Sequence, residues 1–198
     1  MKNSKTTKLV ELGIFVALVL VIQLLGGAVK VGPISISLVL IPIAVGGILL
    51  GPLCGAVLGL TFGVATVIGG LTGADPFTAT LLNSGAWGAV FTTLLCLVKG
   101  TMAGFVSALI YKLLAPKSKV AAVLLAAVAA PVVNTGLFIL GALTVLNSLI
   151  TQNFVGSGSN IIYFVFIGCA GVNFLIELAV NVIFTPAIRR ILTAVRRG

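Results

Sequence analysis

The sequence predicts an all-α membrane protein with six transmembrane helices. The chain is 60% hydrophobic and 8% charged, whereas soluble domains carry about 25% charged residues, so its side chains cannot cover a water-facing surface. The apolar runs are long and continuous, unlike the alternating segments of about ten residues in a transmembrane barrel. At about 20 residues per span, the 198 residues allow about six helices in a single domain covering 1–198.

Proline, glycine and polar residues separate the predicted helices. A turn at Gly51 and Pro52 ends the second helix, and Pro42 is expected to interrupt its first turns. The loop 26–37 contains the alternating run ISIS, which favours a short extended segment, and residues 69–84 and 147–160 are predicted as longer loops. The predicted helices are 7–25, 38–50, 53–68, 85–114, 120–146 and 161–192.

Basic residues flank the predicted spans on one side only, which is the pattern that orients membrane proteins with their basic ends in the cytoplasm. We therefore predict that both termini are cytoplasmic and that the longer loops face outward. This placement also argues against a nucleic-acid-binding patch, despite the net charge of +9. The basic flanking residues are Lys2, Lys5, Lys8, Lys112, Lys117, Lys119, Arg189, Arg190, Arg196 and Arg197.

Small residues recur every four positions on the third and fourth helices. Such a stripe lets the backbone of another helix approach closely, so we predict that both stripes serve helix packing. The first stripe consists of Gly51, Gly55, Gly59 and Gly63, and the second of Gly100, Gly104 and Ala108.

Polar side chains lie at a common depth in four of the predicted helices. A rise of about 1.5 Å per residue places Lys99, Asn134, Asn173, Glu177 and Gln23 roughly 18–24 Å from the cytoplasmic charges. A charge at that depth costs about 2.5–3.5 kcal/mol even on lenient scales. Because the inner half of the bundle looks nearly free of polar groups, this layer favours a solute pocket near the outer face over a channel.

Each candidate binding residue has a structural alternative. Lys99 and Glu177 have similar depths and could pair with each other. Asn134 and Asn173 could form hydrogen bonds between helices. Trp87, at the outer boundary, is a candidate for stacking on a solute, but an interfacial belt is the alternative.

The sequence argues against an enzyme. It has no histidine, three acidic residues and three dispersed cysteines, which leaves no acid/base pair or cysteine–histidine metal site. It also lacks a phosphate-binding loop, so we expect no metal and no cofactor. If the protein moves a solute uphill, a partner must supply the energy.

Three runs carry a family resemblance: ISLVLIPIAVGGILLGPLCGAVLGLTFG (36–63), LVKGTMAGFVSALIYK (97–112) and APVVNTGLFILG (130–141). In order and spacing they resemble the substrate-binding S components of energy-coupling factor (ECF) vitamin transporters. The resemblance implies an S-component-like bundle in a bacterial cytoplasmic membrane, with a vitamin pocket capped by the loops after the first and third helices. It also implies docking on a transmembrane T subunit driven by two cytoplasmic ATPases.

Members of this family contact the T subunit through an Ala-x-x-x-Ala pattern, and Gly13 and Ala17 occupy the matching positions here. Lys99 favours a solute with a carboxylate, such as pantothenate, and neutral riboflavin is the alternative. Two other functions remain open at this point. They are a stand-alone solute permease or channel, and a structural subunit in which Lys99 and Glu177 form an internal ion pair.

Overall fold

The chain folds into a bundle of apolar helices, seen in a computed structural model that describes residues 5–26, 30–31, 34–35, 38–156 and 160–197. The helices are α1 (Lys5–Gly26), α2 (Leu40–Leu50), α3 (Pro52–Leu71), α4 (Pro76–Leu82), α5 (Gly85–Leu114), α6 (Lys119–Thr144), α7 (Asn147–Phe154), α8 (Ile161–Tyr163) and α9 (Val172–Arg197). A π-helical segment, Phe164–Gly171, joins α8 to α9.

In the described part of the chain, five helices are long and apolar enough to cross a membrane: Lys5–Leu24, Pro52–Leu71, Gly85–Leu114, Lys119–Thr144 and Ile161–Arg190. The sixth apolar helix, α2, has 11 residues and is only about 16 Å long. The prediction of an all-α membrane bundle is confirmed. The number of spans and the cytoplasmic location of both termini remain predictions.

Two of the predicted outer loops contain short helices. Asp75 caps α4, where its carboxylate accepts hydrogen bonds from the Thr78 backbone N–H (3.4 Å) and the Thr78 hydroxyl (2.7 Å). Pro76 follows at the first helical position, where its missing N–H has no cost. The helix α7 likewise occupies the loop before residue 160. In the loop 26–37, Lys30–Val31 (β1) pairs antiparallel with Ile34–Ser35 (β2), in agreement with the expected extended segment.

Pro42 does not interrupt a helix as the sequence suggested. The helix α2 begins at Leu40, so Pro42 lies in the first turn, where backbone N–H groups have no intrahelical acceptor. The missing donor of proline therefore removes no hydrogen bond, and the helix simply starts two residues later than predicted.

The glycine stripes form the contact between α3 and α5. A β carbon built on Gly55, Gly59 or Gly63 would overlap backbone atoms of Gly104, Gly100 or Cys96, respectively. The stripe prediction is confirmed for these three glycines. Gly51 differs, because it has a φ of 103° and nothing within 4 Å of a β carbon built on it. It serves the turn before α3 rather than the packing.

This contact fixes the register of two antiparallel helices. The contacts pair Gly63 with Cys96, Gly59 with Gly100 and Gly55 with Gly104. Residue numbers therefore decrease along α3 as they increase along α5, which shows that the two helices are antiparallel. The hydroxyl of buried Ser107 then donates a hydrogen bond to the carbonyl of Ala126 on α6, at 2.8 Å. These contacts determine which side chains of α3, α5 and α6 share a level in the bundle.

Candidate functional site

A cavity of about 360 Å³ lies between α1, α3, α5, α6, the π-helical segment and α9. Its volume is in the range of small-molecule sites. Five of the six side chains predicted to bind a solute line it, namely Gln23, Lys99, Asn134, Asn173 and Glu177. These five side chains therefore share one cavity, and their role in binding a solute stays a prediction.

Lys99 lies in the wall of this cavity, over two aromatic rings. Its ammonium nitrogen is 6.0 Å from the ring centre of Phe62 and 5.4 Å from that of Phe138. A cation over a ring face is stabilised by about 0.5–2 kcal/mol, most strongly where water is excluded. The two rings thus provide a favourable place for a charge that apolar surroundings would otherwise disfavour. Lys99 and Glu177 line the same cavity, as their similar depth in the sequence predicts.

Lys99 and Asn134 lie at the same level of the bundle. Lys99 precedes Ser107 by eight residues on α5, and Asn134 follows Ala126 by eight residues on α6. The two helices are antiparallel, and Ser107 bonds to Ala126. Lys99 and Asn134 therefore lie equally far along the bundle from that hydrogen bond, on the same side of it. On α9, Glu177 is the innermost residue that lines the cavity. The end of the cavity towards the α5–α6 turn therefore combines an ammonium, an amide and a carboxylate, and we call it the floor (Lys99, Asn134 and Glu177).

Asn134 is the member of the floor with an unused hydrogen-bonding atom. The residue is 6% exposed, and its Oδ1 has no hydrogen-bond partner among the described residues. Buried polar atoms without partners are uncommon because each costs about 1–3 kcal/mol. An acceptor held in this state at a cavity wall is available to a donor group of a solute.

The sequence analysis missed four polar residues of the cavity wall: Thr66, Thr72, Asp75 and Thr135. Asp75 left a signal, since it is one of only three acidic residues in the chain, and Thr135 directly follows a predicted site residue. The threonines gave no comparable signal, because threonine is common in helices of membrane proteins, where its hydroxyl bonds to the preceding turn. Thr66 does this, bonding to the Phe62 carbonyl at 2.9 Å.

One expectation about polarity was wrong. Beyond the cavity, α9 carries buried Asn181 and Thr185 in the inner half of the bundle. With Asn173 and Glu177 they form a stripe at four-residue spacing. Asn173, Asn181 and Thr185 each donate a hydrogen bond to the carbonyl four residues earlier, at 3.1, 2.8 and 3.3 Å, so one donor of each side chain is satisfied within the helix.

Trp87 is not among the residues that line this cavity. It lies in the first turn of α5, is 58% exposed, and contacts the ring of Phe91 at a centroid distance of 4.1 Å. The indole is therefore largely exposed near the start of α5 and does not line the cavity. A place in an interfacial belt fits this exposure better than stacking on a solute.

A second cavity, of about 480 Å³, lies at the other end of the bundle, between the α2–α3 turn and the α5–α6 turn. It is the larger of the two, but it is more open, and its described wall has Lys112 and Lys119 without an acid or amide. Despite its larger volume, this second cavity offers fewer kinds of polar group to a solute than the first. Nor does the described part of the chain contain a group of three His, Cys, Asp or Glu side chains placed to hold a metal ion.

Comparison with known proteins identifies the family. No curated protein sequence matches the chain significantly. A family model described as "ECF transporter, substrate-specific component" matches residues 7–189, which covers α1 through most of α9 and every residue of the cavity. The chain therefore belongs to the family of substrate-specific components of ECF transporters.

Proposed function

We propose that this protein binds a vitamin or similar small solute in the cavity and delivers it through a T subunit and two cytoplasmic ATPases. The observation that carries the proposal is the convergence of polar side chains from five helices and the α3–α4 loop on one cavity of about 360 Å³, in a chain of this family. The expected location is a bacterial cytoplasmic membrane, with the cavity near its outer face.

Each polar group has a distinct role in this proposal. The Lys99 ammonium pairs with an anionic group of the solute, and the free Oδ1 of Asn134 accepts a hydrogen bond from a separate hydroxyl or amide group of the solute. Gln23, Asn173 and Glu177 complete the polar wall. A carboxylate on the solute suits Lys99, which supports pantothenate, while riboflavin is the neutral alternative.

The helix α1 is the proposed contact with the T subunit. It buries the smallest share of residues of the five long helices, and both Gly13 and Ala17 are exposed. Among the described residues, nothing lies within 4 Å of a β carbon built on Gly13. A small, open surface of this kind permits close approach of a partner helix.

The test of the binding role is Lys99→Ala. Removing the ammonium should weaken pantothenate binding about tenfold or more, because a charge-assisted hydrogen bond is lost. Isothermal titration calorimetry of the purified protein in detergent measures this directly. Riboflavin is titrated in parallel, and if it is the solute, its affinity should change little.

The matched control is Lys112→Ala, which removes a lysine outside this cavity and should leave binding unchanged. If Lys99→Ala and Glu177→Gln both prevent folding, as judged by gel filtration, an internal ion pair is the better explanation. If wild-type protein binds neither solute nor any other member of a vitamin panel, the proposed function is wrong.

A further inference from the structure

The acidic residues of this chain are concentrated at its cavity. The protein has three acidic residues in 198 and a net charge of +9, yet two of the three, Asp75 and Glu177, line a space of about 360 Å³. The orientation signal of a membrane protein depends on Lys and Arg rather than on acids, so orientation does not explain this placement. Carboxylates at the wall of a cavity instead act as acceptors for donor groups.

Asp75 and Lys99 lie at opposite ends of the cavity. The α3–α5 register places Lys99 near the level of Phe62, the innermost residue of α3 in the wall. The wall follows α3 outward, and the chain then turns back so that Asp75 lies beside Gly69, to whose carbonyl its backbone N–H donates. Seven residues of helix separate Phe62 from Gly69, or about 10 Å. The ammonium therefore belongs to the floor and the Asp75 carboxylate to the mouth.

The carboxylate of Asp75 is held in place by its own loop. It receives two hydrogen bonds from Thr78, and its backbone N–H donates to the carbonyl of Gly69 at 3.0 Å. An ionised carboxylate offers about four acceptor positions, so these two bonds leave others available. A fixed acceptor loses little entropy when it binds a donor.

From this arrangement we propose that Asp75 is a specificity-determining residue that selects an elongated solute with an anionic group at one end and hydrogen-bond donors at the other. The anionic end faces the ammonium of Lys99 at the floor, since this is the positively charged group of the cavity wall. The donor end faces Asp75 at the mouth. This inference rests on the proposed function and adds to it the direction in which the solute lies.

The donors at the mouth can be hydroxyl and amide groups or an ammonium group. All of these groups donate hydrogen bonds to a carboxylate. Hydroxyl and amide groups are neutral, whereas an ammonium group carries a positive charge. Three probes of similar length separate them: pantothenate carries a carboxylate with hydroxyl and amide donors, 6-aminohexanoate carries a carboxylate with an ammonium, and hexanoate carries a carboxylate without a donor at its far end.

The test variant is Asp75→Asn, which keeps a side-chain oxygen to cap α4 but removes the charge. Calorimetric titration of wild-type and variant protein with the three probes should show weaker binding of one donor-bearing probe by about 10- to 100-fold, the range expected for a hydrogen bond to a charged group. Hexanoate should bind the two proteins equally. A loss restricted to 6-aminohexanoate assigns an ammonium at the mouth, and a loss for pantothenate assigns hydroxyl or amide donors.

The control variant is Thr80→Val, which changes the same short helix at a residue outside the cavity wall. It should leave all three affinities unchanged. Equal affinities of wild-type and Asp75→Asn protein for every probe overturn the inference, as does a uniform loss that includes hexanoate.

The two proposals fail in different ways. If binding of a solute depends on Lys99 but not on Asp75, the proposed function stands and the inference about Asp75 is wrong. If wild-type protein binds none of the probes, nor riboflavin, nor any member of the vitamin panel, both the proposed function and the inference about Asp75 are wrong.

Discussion

The polar side chains of the cavity wall differ in how many of their hydrogen-bonding groups have a partner within the protein. The amide of Asn173 donates to the carbonyl of Cys169 at 3.1 Å, so part of its polarity is used within α9. Asn134 is equally buried. The Oδ1 atoms of both residues lack a hydrogen-bond partner among the described residues, so the difference lies in the hydrogen bond that the Asn173 amide makes to the preceding turn. Two asparagines of the same wall are thus expected to contribute differently to stability and to binding.

Asn134→Leu and Asn173→Leu test this difference. Asn134→Leu should not lower the unfolding temperature of the ligand-free protein, because no bond to its Oδ1 is lost, yet pantothenate affinity should fall about tenfold. Asn173→Leu removes the bond to Cys169 and should destabilise the protein by about 1 kcal/mol. Thermal unfolding in detergent and calorimetry measure both effects. Equal destabilisation by the two variants would instead assign Asn134 a structural role.

At the scale of the elements, the contact between α3 and α5 fixes the position of Lys99 in the floor of the cavity. Their backbones touch at Gly55, Gly59 and Gly63, so the register has almost no freedom to slide. Because Phe62 lies between two of these contacts and Lys99 precedes Gly100 directly, the cation–ring contact depends on that register. A side chain inserted into the glycine contact should therefore affect both stability and the cavity.

Gly59→Val tests this contact. The added side chain would overlap the carbonyl of Gly100, and overpacking of this kind costs about 1–3 kcal/mol. The unfolding temperature in detergent should fall accordingly. Gly13→Val is the matched control, since no described residue lies within 4 Å of a β carbon there, and its unfolding temperature should stay at the wild-type value. A stable Gly59→Val protein would contradict the close contact of α3 and α5.

At the scale of the whole molecule, five helices and the π-helical segment surround the cavity, and the proposed transport adds partner subunits to this binding unit. The sequence lacks a phosphate-binding loop, while the family to which it belongs supplies components of a larger transporter. The exposed face of α1 is the proposed surface for that assembly.

Reconstitution in liposomes tests the dependence on partners. We expect uptake of radiolabelled pantothenate only when the protein is combined with an ECF-type T subunit, two ATPases and internal ATP, because binding alone cannot drive accumulation. The control is the same complex with a non-hydrolysable ATP analogue, which should not accumulate solute. Uptake by the protein on its own would favour the stand-alone permease.

The sequence by itself determined the helical class, the packing glycines and the common depth of Lys99 and Asn134. These properties follow from the constant rise of a helix and from the cost of placing polar groups in an apolar medium, both of which act locally along the chain. Only the tertiary structure decided that Asp75 joins the cavity wall and that Trp87 does not. The rotation of a helix about its axis and the return of a loop over the bundle depend on packing among several helices at once, which no single segment encodes.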